Sequence, residues 1–290
     1  MRDIKLASMI GLMAVMTASP GSGQTRPPST PNEGMPIVQD APSAPVDLQV
    51  SPRFWYMWHT NATLTPSGIS GLSQSGTYRV PLYGAAVSAR FASLPDTTFI
   101  LSVLHGNGTE EISSLGFGGG TAISARTRDD ISRNDVEFLT QTRIPDTNWA
   151  WIAGFRYERD DQSLKTISLT LPPPGARLTV GDATGEQFSG KLGLAGTAQL
   201  TPAGNLNLFG NIMALGGVFT LDGSTFGQPK SSGTRDGIIG GDMSVGLQYL
   251  VTPNISFDAR LRLLLTYDVS LGGKAFSTEV GPMLGANIRF

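Results

Sequence analysis

Histidine and cysteine chemistry has few parts to work with here: His59 and His105 are the only histidines, and cysteine is absent. A histidine beside a serine or an acid is the usual general-base set of a hydrolase. His59 falls on the same alternate positions as Arg53 and Asn61, whereas His105 shares its face with Phe99, Leu101 and Val103. The two rings are therefore expected on opposite sides of one wall, which argues against a shared site. Without cysteine there are no disulfides and no thiolate metal centres. Residues 185–191 read Gly-Glu-Gln-Phe-Ser-Gly-Lys, the start of a phosphate-binding loop. Leu192 then stands where a hydroxyl would hold magnesium, and the segment runs into an alternating strand rather than a helix. The GFGGG run at 116–120 has no strand–helix context either and reads as loop. Acid pairs at Glu110–Glu111, Asp129–Asp130 and Asp160–Asp161 are the right ligand type for divalent cations, but read first as solvated loop charge. No catalytic residue, metal or cofactor is expected.

The larger chemical signal is a set of charges on one face of long alternating segments. It comprises Glu137, Arg143, Arg156, Glu158, Lys191, Asp242, Asp258, Arg260, Arg262, Glu279 and Arg289. Two readings stay open for these residues: a polar lumen that passes a solute, or an ion-paired interior that fills and stiffens a narrow barrel. A row of one sign would favour selective conduction. Both signs are present, and opposite charges removed from water must pair.

Strands are what would position such a face. At 149–158, Trp149, Trp151, Ala153, Phe155 and Tyr157 oppose Ala150, Ile152, Gly154, Arg156 and Glu158. At 255–268, Ile255, Phe257, Ala259, Leu261, Leu263, Leu265 and Tyr267 oppose Ser256, Asp258, Arg260, Arg262, Leu264, Thr266 and Asp268. Segments 188–200 and 278–290 repeat the pattern. A period of two means strands with one greasy and one wet face. These runs exceed the ~5–6 residues of an ordinary strand and reach the ~9–11 of a tilted membrane strand. Aromatic rings lie near their ends, as at membrane interfaces. Tight proline turns at 94–97, 144–148, 201–205 and 252–254 alternate with longer connections near 66–76, 106–131, 161–186, 222–236 and 269–276. Ten strands are expected, near 53–65, 77–91, 97–105, 132–144, 149–160, 187–200, 206–221, 237–251, 255–268 and 277–290. The glycine-rich stretch 112–125 leaves eight or twelve open. An even number lets the sheet close antiparallel, with no edge left in lipid.

Composition agrees. Charged residues make up 15% and mean hydropathy is −0.02, yet the only long apolar run is at the N-terminus. A barrel that alternates apolar and polar positions explains both. A net charge of −2 excludes the basic surface of a nucleic-acid binder. Residues 1–23 form an expected export signal: Arg2 and Lys5 ahead of an apolar run at 6–18, then small residues at 19–23. Residues 24–50 hold six prolines and read as a disordered spacer, with a plug or partner-binding role as the alternative. Residues 51–290 form the barrel domain.

Taken together, residues 51–290 resemble Gram-negative outer-membrane β-barrel proteins as a broad class. The last strand carries Val280, Pro282, Leu284, Ala286, Ile288 and terminal Phe290 on one face. Such an ending is similar to the signal read by the barrel-assembly machinery. Pro282 departs from the pattern and puts the closing seam's hydrogen bonds in question. The resemblance implies an all-β, closed, up-and-down transmembrane barrel in the cell outer membrane. Its implied partners are outer-membrane lipid and lipopolysaccharide, periplasmic chaperones and the assembly machinery. The function so implied is non-enzymatic: a small porin-like channel for an unspecified solute, or a structural barrel with a salt-bridged lumen. A barrel hydrolase acting on lipid or peptide through His59, or a surface recognition protein acting through the loops at 106–131 and 161–186, are the alternatives.

Overall fold

A computed structural model describes residues 45–64, 75–118, 121–170, 179–223, 231–269 and 274–290. The expected signal, most of the expected spacer and parts of the longer connections lie outside the described residues. Ten strands run in chain order: β1 (Val46–Leu64), β2 (Ser75–Phe91), β3 (Thr97–Gly118), β4 (Thr121–Arg143), β5 (Trp149–Thr170), β6 (Thr179–Gln199), β7 (Leu206–Gly223), β8 (Ser231–Thr252), β9 (Ile255–Asp268) and β10 (Lys274–Arg289). Each pairs antiparallel with its sequence neighbours, and β1 pairs with β10 to close the barrel.

The closing seam keeps one register from Gln49↔Arg289 to Leu64↔Lys274. No pair forms at Pro282, which lacks the ladder donor, but the same register resumes at Trp58↔Val280. The seam is interrupted rather than shifted. Both termini of the barrel and the tight turns share one end, here the turn end. The turns are made by local bonds: Thr97 N donates to Leu94 O, Thr147 N to Ile144 O, and Gly204 N to Thr201 O. Gly204 (φ 71°) and Asp146 (φ 57°) supply the left-handed residues these turns need.

Sidedness follows from alternation. In β9 exposed Phe257 and Leu261 alternate with buried Asp258, Arg260 and Arg262. Around the barrel the outward set includes Tyr83, Trp151, Leu192, Ile239, Phe257 and Leu284. Five outward phenylalanines, Phe91, Phe99, Phe138, Phe155 and Phe188, form a ladder across β2 to β6 with ring centroids 5.3–6.5 Å apart. The barrel is apolar outside and largely polar within, the inverse of a soluble one and the arrangement of membrane barrels.

Two expectations are corrected. The segments 106–131 and 161–186 are not mainly loops: β3 and β4 pair continuously to Gly118↔Thr121, and β5 and β6 pair out to Lys165↔Thr179. Strands of 21 to 23 residues in β3 to β6 thus run far past the apolar belt. Beyond lipid a strand has no greasy face to keep, so its sequence loses the alternation while its backbone ladder continues. The spacer also ends earlier than residue 50. β1 begins at Val46, because Val46, Leu48 and Val50 continue its outward face and buried Asp47 and Gln49 its inward one.

Candidate functional site

The inward side chains stack in tiers from the turn end upward. Lowest is Asp47, whose carboxylate accepts from Arg90 Nη2 at 2.8 Å and from Arg289 Nε and Nη2 at 2.8 Å. This joins β1, β2 and β10 where the barrel closes. Gln49, Ser51, Asn287, Ser256 and Gln248 continue the tier as a chain of side-chain hydrogen bonds of 2.7–3.2 Å. Arg143, part-exposed, shares the inward parity of Glu137 at the same end of β4.

Next come Arg53, Asp258 and Arg260, all buried. Arg260 lies 3.5 Å from Asp258 and its guanidinium stands 5.6 Å from the Phe209 ring centre. Gly285 leaves the room: a Cβ there would meet Asp258 Oδ2 at 2.6 Å. The third tier crosses the lumen. Lys191 on β6 bonds Glu137 on β4 and, at 2.6 Å, Asp242 on β8. Arg262 on β9 reaches Glu137 at 2.9 Å and Asp242 at 2.6 Å, and its guanidinium faces the Trp55 ring at 5.3 Å.

The fourth tier holds Arg133 and Arg156, both with no exposed surface. Arg156 binds Asp135 at 2.5 Å, Glu158 at 2.9 Å and Glu279 at 3.1 Å. Arg133 binds Glu279 at 2.6 Å, Glu158 at 2.7 Å and Asp160 at 3.4 Å. Charges removed from water this completely hold their ionised state only in mutual pairing. The sequence singled out neither Arg133 nor Asp135, although both lie on the face of Glu137 in β4; extending that alternation four residues would have included them.

His59 belongs to this tier, and its geometry tests the hydrolase reading. Ser277 Oγ lies 2.8 Å from His59 Nε2, and Arg133 Nη1 lies 3.2 Å from Nδ1. A guanidinium has only donors, so Nδ1 must accept and Nε2 carries the proton. That proton points at the serine. The ring then donates to the hydroxyl and has no lone pair with which to take its proton. His105 stands on the other face of the wall, edge-on to Tyr83 and bonded to Asn134 Oδ1 at 2.9 Å.

The remaining motifs dissolve into the barrel. Lys191 of the phosphate-loop look-alike is the lumen cation described above. The pair Asp160–Asp161 splits across the wall: Asp160 faces Arg133, while Asp161 pairs with Arg159 at 3.1 Å and accepts from Thr184 at 2.9 Å. Asp130 accepts from Arg128 and Thr109, each at 3.0 Å. The side chains of Glu110, Glu111 and Asp129 lie outside the described residues. Among the described residues no cluster of acids and histidines has the form of a metal site.

Also missed by the sequence reading is an apolar cluster inside the wall: Trp55, Met57, Val80, Leu82, Leu104 and Met283, with Tyr78 against it. Its signal was present. The run Arg53-Phe-Trp-Tyr-Met-Trp58 is greasy on both faces, which a strand with a wet lumen would not be.

No family model and no curated protein matches this chain. Several solved structures align with most of it. The translocator domain of autotransporter NalP from Neisseria meningitidis is 14% identical, covering 87% of this chain and 90% of that one, with a TM-score of 0.42. The toluene transporter TodX of Pseudomonas putida is 9% identical over 86% and 90%, with a TM-score of 0.31. Ail, the attachment invasion locus protein of Yersinia pestis, is 14% identical over 84% and 99%, with a TM-score of 0.32. Superpositions at this level transfer no residue roles, and the barrel rests on this chain's own strand pairing.

Proposed function

We propose that this chain is a non-enzymatic outer-membrane barrel whose lumen is sealed by ion pairs, and which anchors the tall sheet of β3 to β6 above the membrane. The observation that carries it is the third tier: Lys191 and Arg262 tie Glu137 and Asp242 together from four strands, across the space a pore would occupy. Eight strands leave just enough room for interior side chains, and ten leave little more. A porin-like axial path for polar solutes is therefore not the reading favoured. In this orientation the turn end faces the periplasm and the long hairpins face outward, with lipid and lipopolysaccharide as the surrounding partners. Phe290, outward and 74% exposed, is the residue the assembly machinery would meet. The strand lengths support a surface role: β3 to β6 hold about twice the ~9–11 residues that lipid requires.

The test uses the cysteine-free background. Gly118→Cys and Pro202→Cys mark the two ends of the barrel. In intact cells a membrane-impermeant maleimide is expected to label the first and spare the second. Labelling of Pro202→Cys with Gly118→Cys protected would overturn the orientation and the surface role with it.

A further inference from the structure

The two ends of the lumen carry opposite charge. Below the third tier the inward face holds Arg53, Arg90, Arg143, Arg260 and Arg289 against only Asp47 and Asp258. The fourth tier reverses this, with Asp135, Glu158, Asp160 and Glu279 against Arg133 and Arg156. Both acids of the turn end are already engaged. Asp47 holds Arg90 and Arg289, while Asp258 lies by Arg260 and accepts from Asn287 Nδ2 at 3.1 Å. Arg143 is left at the mouth, where its Nε is enclosed and has no hydrogen-bond partner. Asp96 of the adjoining turn meets Arg143 through the backbone, its carbonyl accepting from Arg143 N at 2.9 Å. The turn end therefore favours an anion and the outer end does not.

Gln141 stands two residues above Arg143 on the same inward face of β4. It is 3% exposed, and neither its amide nitrogen nor its amide oxygen has a partner. Turning the amide over changes nothing, because both atoms are unpaired. An enclosed amide in that state is costly unless something completes its bonds. Register explains why the chain does not. Gln141 is flanked by Thr98 on β3 and Ile152 on β5, and Arg143 by Ala150, which pairs with Ala195. The methyl groups of Ala150 and Ala195 offer the amide nothing. Ser88 on β2 is also buried with an unpartnered hydroxyl, and its row runs through Ile100 to Leu139, next above Gln141 on β4. Across the lumen the amides are taken: Gln248 Nε2 donates to Ser256 at 2.8 Å, and Gln49 Nε2 to Asn287 at 3.2 Å.

We propose that Arg143, Gln141 and Ser88 form a binding site for hydrogen phosphate at the turn-end mouth of the lumen. Arg143 supplies the opposite charge and a charge-assisted hydrogen bond. Gln141 Nε2 and Ser88 Oγ donate to further phosphate oxygens. Gln141 Oε1 needs a donor, which hydrogen phosphate brings in its P–OH and a carboxylate lacks. A phosphate monoester at pH 8 is a dianion and lacks it too. The proposal rests on the sealed-lumen reading, since the third tier closes the site from above and the anion enters and leaves at the turn end.

The test titrates inorganic phosphate at pH 8 into the full chain folded in maltoside micelles, read by calorimetry. One saturable site is expected. Acetate and glycerol 3-phosphate are expected to bind about tenfold more weakly or worse, since each leaves Gln141 Oε1 unpaired. Arg143→Gln and Gln141→Leu are each expected to weaken phosphate by about tenfold or more while keeping the heat-modifiable band. Gln141→Glu places a carboxylate beside Arg143, so phosphate is expected to raise the thermal midpoint of the parent chain and not of this variant. No saturable phosphate heat in the parent chain would overturn the site, as would unchanged affinity in the folded variants. Acetate or glycerol 3-phosphate binding as tightly as phosphate would overturn the assignment to hydrogen phosphate. Ion leakage from vesicles reports separately on the third tier, so the site and the sealed lumen fail independently.

Discussion

Asp242 shows what a single side chain does in this barrel. It has no exposed surface and binds two cations from two strands, Lys191 and Arg262. Asp242→Asn leaves both cations sharing Glu137, and removal of one partner from a buried pair costs about 3–5 kcal/mol. Urea unfolding in vesicles is expected to show a loss of that size; an unchanged midpoint would mean the tier is hydrated and carries no such load. His59 yields a second expectation. Because Arg133 forces the ring to donate toward Ser277, a fluorophosphonate is expected to leave Ser277 unmodified. An adduct at that serine would revive the hydrolase. Neither relation was legible in the sequence, where His59 and Ser277 lie 218 positions apart and meet only once β1 and β10 close.

Strand existence was legible wherever lipid imposes alternation, as in β9, where the outward and inward sets separate residue by residue. It failed where that demand ends. Residues 112–125 carry glycine and serine rather than an alternating pattern, yet β3 and β4 stay paired through them. Deleting residues 112–125 is accordingly expected to leave heat-modifiable gel migration intact, since the ladder they extend stands clear of the belt; loss of the folded band would place that hairpin within the barrel's stability. The start of β1 failed for another reason. Val46 to Val50 follows six prolines and looks like their continuation, but Asp47 is held by Arg90 and Arg289. Truncation after residue 45 is expected to leave the thermal midpoint unchanged, whereas truncation after residue 50 lowers it by removing the clasp. Equal midpoints would show that the clasp contributes nothing.

Across the barrel, the charges on the inner face were visible as residue types, but not their partners. Lys191, Glu137, Asp242 and Arg262 come from four strands, and only the accumulated register of the closed sheet brings them together. That is why an open lumen and a filled one were equally compatible with the sequence, and why the structure favours the filled one. Apolar clusters around Trp55, Leu139 and Leu264 share the interior with these ion pairs, and they too draw their members from several strands. A sealed axial path is the claim on which the rest depends. Its most direct measurement is planar-bilayer recording of the refolded chain. Membranes that contain folded protein and stay silent at moderate voltage are the expected result; discrete, reproducible conductance steps would contradict it.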